Sequence, residues 1–270
     1  MAILMASILD ADWMNLENEI RSVDKAGVDG FSLDIMNGTF VPRITFGPHI
    51  VSKIRNFTDL PIEVHLMIDN PEKQIEAFCD AGADQILFHI EATTCADEII
   101  QYVHSRKISV GIAVLLDTDI RTIPRELIAS IDAINFMAVP VGYGGQKPSK
   151  ETINRIQEFR SYCESLNYNI AIEVDGGMKQ DNCRAYVEAG ADLIVIGTGI
   201  YHASNYKEAV SSAQSEICHN DVIAKKRLKH FLCGNSILSI DDIERRKRLD
   251  ALRKALDIPQ CSWDPMNSRR

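Results

Sequence analysis

Short strand-like runs alternate with helix-length segments through the first four-fifths of the chain. Eight runs are rich in Ile, Val, Leu and Phe, and they lie at residues 3–8, 30–35, 62–66, 85–89, 109–115, 133–138, 169–174 and 193–196. Helix-length segments separate them, for example at residues 69–81, 150–165 and 180–189. An alternation of this kind is typical of a parallel sheet whose strands are joined by helices. The chain is therefore predicted to be an α/β protein.

A four-residue junction recurs before three of the predicted strands. It reads Ala26-Gly27-Val28-Asp29, Ala81-Gly82-Ala83-Asp84 and Ala189-Gly190-Ala191-Asp192. Glycine suits the left-handed residue that often ends a helix, so each junction is predicted to turn a helix into the next strand. Repetition of the junction indicates a repeated βα unit, and eight units predict a closed (β/α)8 TIM barrel. An open doubly wound sheet is the alternative.

Two aspartates, far apart in sequence, stand at the ends of predicted strands. Asp34 closes the run that begins at Phe31, and Asp175 follows Val174. Because a barrel takes its catalytic groups from the C-terminal ends of its strands, the two carboxylates are expected to share one cavity. Two carboxylates facing a carbon acid suit a two-base epimerase, in which one removes a proton and the other returns it on the opposite face. Alternatively, each Asp only caps a strand or an adjoining turn.

Glycine-rich turns follow three of the predicted strands. Their residues are Gly142, Tyr143, Gly144 and Gly145 after the sixth strand, Gly176 and Gly177 after the seventh, and Gly197 and Thr198 after the eighth. Such turns let backbone N–H groups approach a phosphate, and barrel enzymes often bind phosphate near strands seven and eight. A phosphorylated substrate is therefore expected, although a glycine can also serve a tight turn alone.

The composition is that of a cytoplasmic protein. No apolar run approaches the roughly 20 residues that a membrane-spanning helix needs, and the N-terminus enters strand-like sequence without a basic leader. The seven cysteines are scattered and form no C-x-x-C pair, which indicates neither a disulfide framework nor a thiolate zinc site.

The C-terminal segment differs in charge from the rest of the chain. Residues 221–270 hold 12 Lys and Arg against 7 Asp and Glu, whereas the whole chain carries a net charge of -9. We expect a catalytic barrel over residues 1–220 and a basic helical extension over residues 221–270. An amphipathic extension needs a partner surface, and the acidic barrel or a second subunit is expected in preference to nucleic acid or a membrane. If the extension packs on a second subunit, the protein is a homo-oligomer.

Five blocks of the chain match a known family in order and spacing. They are Ser7-Ile8-Leu9, residues 33–42 from Leu33-Asp34-Ile35-Met36 to Val41-Pro42, Val64-His65-Leu66-Met67, Gly142-Tyr143-Gly144-Gly145-Gln146 and Glu173-Val174-Asp175-Gly176-Gly177. Together they resemble ribulose-phosphate 3-epimerase. The resemblance runs through nearly all of residues 2–205 and leaves residues 221–270 outside.

The resemblance implies a (β/α)8 barrel that inverts C3 of a ketose phosphate through a cis-enediolate. It implies that Asp34 and Asp175 are both the acid–base groups and ligands of one divalent metal ion, with His65 a further ligand. The ion could be Zn, Mn, Mg, Fe or Co. By the same resemblance, Ser7 would contact the substrate, and three thioethers would pack against the reacting carbons: those of Met36, Met67 and Met137.

The chain departs from the family pattern at a metal ligand. Ser32 occupies the position where the family generally has His, and a serine hydroxyl is a poor zinc ligand. Two consequences are possible: a three-ligand site that prefers a harder ion such as Mg²⁺ or Mn²⁺, or a loss of metal affinity.

The predicted rim of the pocket also departs from the family, which favours an altered substrate such as a hexulose or tetrulose phosphate. Asn37, Thr39 and Arg43 replace the usual Asp, His and Asn. Arg43 either binds an anionic substrate group or pairs with a surface acid.

Two other functions compete with epimerisation. One is a noncatalytic sugar-phosphate-binding protein with a partner-binding tail. The other is aldol or decarboxylase chemistry, which would need lysines at strand ends, and the predicted strand ends offer none.

Overall fold

The computed structural model describes residues 2–217, in which eight parallel strands form a closed barrel. The strands are β1 Ile3–Ser7, β2 Gly30–Met36, β3 Ile62–Met67, β4 Gln85–His89, β5 Ser109–Val114, β6 Ala133–Met137, β7 Ala171–Asp175 and β8 Leu193–Ile196. Each pairs with the next along the chain, and β8 pairs with β1. The predicted TIM barrel is confirmed, and the open sheet is excluded.

Helices cover the outside of the barrel. They are α1 Leu16–Ala26, α2 Pro48–Arg55, α3 Ile75–Asp80, α4 Ala96–Ser105, α5 Arg125–Ser130, α6 Glu151–Ser165, α7 Cys183–Ala189, α8 Thr198–Tyr201 and α9 Tyr206–Ile217. The helix predicted over residues 69–81 is shorter than expected. Asn70 has a left-handed φ of 49°, and Pro71 opens a separate 3-10 turn, so α3 starts only at Ile75.

The recurring junctions turn the chain as predicted. The three glycines all have positive φ: 113° at Gly27, 96° at Gly82 and 117° at Gly190. The aspartate of each junction then accepts a hydrogen bond from a backbone N–H of the preceding strand, over 2.9 Å from Leu4 to Asp29, 2.9 Å from Ile62 to Asp84 and 3.0 Å from Ile172 to Asp192. The repeated motif therefore joins neighbouring strands at the N-terminal end of the barrel.

Side chains fill the barrel in layers, because alternate residues of a strand point to the same face. One apolar cluster inside the barrel contains Ile3, Met5, Leu87, Ala133, Ala171, Leu193 and Val195. Buried polar side chains inside the barrel form what we call the buried polar layer: Ser32, Glu63, Gln85, Ser109, Asn135 and Glu173. The predicted catalytic residues lie further along the strands, toward their C-terminal ends.

Helix α9, the last described element, packs against α1 and β1, the first elements of the barrel. Gln214 donates a hydrogen bond of 2.7 Å to the Gly27 carbonyl, and the Tyr206 hydroxyl donates one of 2.9 Å to Glu19. No helix between residues 2 and 217 has the length and apolar character needed to cross a membrane. The extension predicted for residues 221–270 lies outside the described residues.

Candidate active site

Three side chains that could bind a metal ion meet at the mouth of the barrel. Asp34 on β2 is paired in register with His65 on β3, and Asp175 is the last residue of β7. One ligand atom from each residue lies within 4.8 Å of those of the other two. The closed barrel thus brings together two aspartates that are 141 positions apart in the sequence.

His65 lies between the two carboxylates and is fully buried. Its Nδ1 is 3.1 Å from Asp34 Oδ1 and 3.6 Å from Asp175 Oδ2. Burial alone would lower the pKa of His65, but hydrogen bonds with Asp175 and Asp34 outweigh that effect and raise the pKa to about 10. In this arrangement His65 is a cation at neutral pH.

The two aspartates have different surroundings. Burial raises the pKa of Asp175, and the nearby charge of Asp34 raises it further, while the hydrogen bond with His65 acts in the opposite direction. Asp34 accepts a hydrogen bond of 2.6 Å from the Ser7 hydroxyl on Oδ2, so its two oxygens are held by Ser7 and His65.

A second buried histidine, His89, contacts the Nε2 atom of His65. His89 Nε2 is 3.1 Å from His65 Nε2, and His89 Nδ1 is 3.3 Å from Glu91 Oε2. Burial lowers the pKa of His89 to about 4, so His89 is neutral and can accept the Nε2–H of His65. A partner of this kind fixes the ring orientation of a metal-binding histidine. His89 is the last residue of β4, and no role was predicted for it from the sequence.

Ser32, at the position of the missing histidine, faces the buried polar layer. Its hydroxyl donates a hydrogen bond of 2.8 Å to Glu63 Oε1, and Gln85 donates one of 2.7 Å to the other oxygen of Glu63. Burial raises the pKa of Glu63 and also that of Glu173, so these neighbouring carboxyls retain protons more readily than exposed ones. This layer was not predicted from the sequence, although Glu63 and Glu173 stand two residues before His65 and Asp175 and so share their face.

One cavity collects nearly all of the predicted site residues. It is lined by Ser7, Asp34, Met36, Met67, Met137, Gly142, Tyr143, Gly144, Gly145, Asp175, Gly176, Gly177, Gly197 and Thr198. The three methionines are buried, whereas Tyr143 is 54% exposed. His65 and Ser32 are buried and do not line the cavity. Four of the glycines have a positive φ that other residues rarely adopt: Gly142, Gly145, Gly176 and Gly177.

An acidic residue that the sequence analysis did not single out also lines the cavity. Asp10 follows the Ser7-Ile8-Leu9 block, and pairing of β1 with β8 brings it beside the Gly197 turn. The expected pairing of the first and last strands in a closed barrel could have indicated that Asp10 lies beside this turn. At the same rim, Arg43 donates a hydrogen bond of 3.3 Å to the Gly142 carbonyl. Burial raises the pKa of Asp10, and the charge of Arg43 acts in the opposite direction.

The donor set fits a divalent metal ion. Asp34 and Asp175 offer carboxylate oxygens and His65 offers an imidazole nitrogen, which are ligands that Zn²⁺ and Mn²⁺ accept. Three protein ligands leave coordination positions for water or for substrate oxygens, as in catalytic sites.

Comparisons with known proteins agree with this geometry. Residues 3–201 match the model of the ribulose-phosphate 3 epimerase family. Ribulose-phosphate 3-epimerase of Bacillus subtilis (strain 168) is 39% identical over 206 residues, which cover 76% of this chain and 94% of that protein. The chloroplastic ribulose-5-phosphate-3-epimerase of Arabidopsis thaliana is 34% identical over 79% of this chain and 76% of its own length.

Solved structures with lower identity share the fold. A structure of KGPDC from Streptococcus mutans superposes with a TM-score of 0.57 at 16% identity, over 80% of this chain and 97% of that chain. A 3-hexulose-6-phosphate synthase superposes with a TM-score of 0.59 at 17% identity, over 81% of this chain and all of that chain. At these identities the likeness extends to the barrel alone. The match to the family model over the barrel, together with relatives of 34–39% identity, shows that this chain belongs to the ribulose-phosphate 3-epimerase family, whose named members are isomerases.

Proposed function

We propose that this protein is a metal-assisted epimerase that inverts C3 of a ketose phosphate, either D-ribulose 5-phosphate or a related pentulose, hexulose or tetrulose phosphate. One observation carries the proposal: Asp34 and Asp175 approach the same buried imidazole from different strands at the mouth of the barrel. Aldol chemistry through a Schiff base receives no support, because none of the eight strands of the described barrel ends in a lysine.

The two aspartates would exchange the proton on C3. One carboxylate removes the proton from one face of the carbon, which leaves a planar enediolate, and the carboxyl group of the other returns a proton to the opposite face. The raised pKa of Asp175 supports this role, because a carboxylate with an ordinary pKa near 4 is a weak base toward carbon. When bound by Asp34, His65 and Asp175, a divalent ion supplies positive charge that stabilises the developing oxyanion.

The walls of the cavity suit a flat, electron-rich intermediate. Thioethers are polarizable and make only weak hydrogen bonds, so Met36, Met67 and Met137 can pack against the reacting carbons without trapping them. The Ser7 hydroxyl keeps Asp34 oriented, which favours proton transfer in one geometry.

The glycine turns would bind the phosphate at the other end of the cavity. Gly142, Gly144, Gly145, Gly176, Gly177, Gly197 and Thr198 line this end, which we call the phosphate cradle. Their backbone N–H groups supply donors for phosphate oxygens, and their position after β6, β7 and β8 is where barrel enzymes commonly bind phosphate.

An exchange experiment tests the proposal. Candidate ketose phosphates are incubated with the protein in D₂O, with and without added Mn²⁺ or Zn²⁺, and the C3–H signal is followed by NMR. Metal-dependent loss of that signal is expected for at least one ketose phosphate. If no pentulose, hexulose or tetrulose phosphate exchanges, the noncatalytic sugar-phosphate-binding protein is the remaining candidate.

Other expectations rest on the sequence and remain proposals. These are the division into a catalytic barrel over residues 1–220 and an extension over residues 221–270, the homo-oligomeric state and the cytoplasmic location. The ability of the site to bind a metal ion without the usual histidine is also a proposal.

A further inference from the structure

We propose that Asp10 is a specificity-determining residue that competes with the substrate phosphate for the phosphate cradle. The inference rests on the proposed function, because it takes the cradle to be the phosphate site. In this chain the cradle already holds an internal anion, so a phosphorylated ketose binds more weakly than the glycine turns would otherwise allow.

The position of the Asp10 carboxylate carries the inference. A Cβ atom built on Gly144 would lie 2.5 Å from Asp10 Oδ2 and 2.7 Å from Oδ1, and a Cβ on Gly197 would lie 2.8 Å from Oδ2. The carboxylate therefore fills the space that these two glycines leave open by having no side chain. That space lies between the turns that follow β6 and β8, which is the centre of the cradle.

The remaining room is small. The open cavity between the cradle and the metal-ligand cluster amounts to about 40 Å³, which is room for roughly three water molecules. A phosphate group that enters this space comes into close contact with the side chains that line it. The Asp10 carboxylate, which stands between the two turns, is the group that must move aside or share the space.

The charges around Asp10 define the competition. Burial raises the pKa of Asp10, the charges of His202 and Arg43 lower it, and the charge of Asp34 raises it. The Thr198 backbone also lowers the pKa of Asp10, so the carboxylate lies near a backbone group of the cradle that phosphate would need. A phosphate dianion beside a half-buried carboxylate is strongly repelled, because the effective dielectric constant there is well below that of water.

Arg43 limits the repulsion. Its guanidinium reaches the Gly142 carbonyl at 3.3 Å and is close enough to influence Asp10. If a phosphate enters the cradle and displaces the Asp10 carboxylate, the Arg43 guanidinium is a nearby cation with which that carboxylate can pair. Asp10 thus weakens phosphate binding, and its effect should appear mainly in KM because Asp10 acts on the phosphate and takes no part in the proposed proton transfer.

The test uses inorganic phosphate as the probe and the full chain as the protein. Asp10→Asn keeps the shape and removes the charge, and Asp10→Ser removes both. We expect the dissociation constant for phosphate, measured by ³¹P NMR titration, to fall at least about tenfold in both variants. Asp97→Asn removes the same charge from the exposed first turn of α4 and should leave phosphate affinity unchanged. Thermal melting followed by circular dichroism confirms that each variant is folded.

Turnover separates this inference from the proposed function. With D-ribulose 5-phosphate, or whichever ketose phosphate shows exchange, KM should fall in Asp10→Asn while KM for the unphosphorylated ketose stays the same. Unchanged phosphate affinity in both folded Asp10 variants would overturn the inference and leave the epimerase assignment standing. Absence of C3 exchange in every variant, together with the tenfold gain in phosphate affinity, would overturn the epimerase and keep the inference.

Discussion

Replacement of Asp175, a proposed catalytic residue, tests the two-base scheme most directly. Asp175→Asn keeps the size of the side chain but removes a base, so C3 exchange should fall by about 10² to 10⁴-fold. Phosphate affinity should be retained, because the cradle is built from other residues. Exchange is measured by NMR in D₂O and phosphate binding by ³¹P titration, with Asp97→Asn as the surface control. Strong residual exchange would contradict the role of Asp175.

His65 makes metal binding depend on pH. Its pKa of about 10 means that the ring is protonated below that pH and must lose a proton before Nδ1 can bind a metal ion. Affinity for Mn²⁺ should therefore rise with pH, by about tenfold per unit near neutrality, and level off as the pH approaches the pKa. Calorimetry in two buffers of different ionisation enthalpy measures the released proton. Heats that do not depend on the buffer would rule out the protonated His65.

Replacement of Ser32 tests how far the proposed metal site differs from the family pattern. Ser32→His restores a nitrogen ligand and should tighten Zn²⁺ binding by roughly 10- to 100-fold if the inherited geometry survives. Ser32→Ala is the matched control, since it also removes the hydrogen bond to Glu63 but adds no ligand. A competition assay with a zinc-binding dye gives both affinities. Equal affinities in the two variants would mean that the pocket has been rebuilt.

At the scale of secondary-structure elements, the glycine junctions should be sensitive to substitution. Gly190 has a φ of 117°, and a Cβ there would lie 3.0 Å from the Arg160 side chain. Gly190→Ala should lower the free energy of unfolding by more than about 1 kcal/mol. Gly47→Ala is the control, because its φ is −128° and no atom lies within 4 Å of its Cβ position. That variant should change stability by less than about 0.5 kcal/mol.

Urea unfolding followed by circular dichroism compares the two glycine variants. Equal losses of stability would show that the left-handed conformation at Gly190 is not what the junction requires.

The strand predictions agree with the structure to within two residues at each end, whereas the helix predicted over residues 69–81 was too long. Strands are short and bounded by clear turn signals, so a local pattern locates them well. A helix that follows a strand end depends on the loop geometry. Here the left-handed Asn70 and the ring of Pro71 delay α3 until Ile75.

At the scale of the whole molecule, α9 is expected to complete the barrel. A chain cut after residue 220 keeps the hydrogen bonds from Gln214 to Gly27 and from Tyr206 to Glu19, whereas a chain cut after residue 205 loses both. The longer fragment should fold and retain C3 exchange, and the shorter one should melt several degrees lower than the longer one. Failure of the longer fragment to fold would refute the proposed domain boundary at residue 220.

Local sequence patterns predicted the eight βα units and the turning glycines, and they placed Asp34 and Asp175 at or near the C-terminal ends of their strands. They could do so because these features follow from local periodicity and turn chemistry, and because a closed barrel brings all strand ends to one rim. The same reasoning predicted the glycine turns that line the cavity, whereas Ser7 and the three methionines were expected from the family resemblance.

Three features became visible only in the folded molecule: the raised pKa of His65, the polar layer around Glu63 and the position of Asp10 in the cradle. Each depends on contacts between residues distant in sequence, such as Asp10 near Thr198, which exist only after β8 pairs with β1. The pKa of a buried group is set by the sum of burial and neighbouring charges, and no local pattern contains that sum.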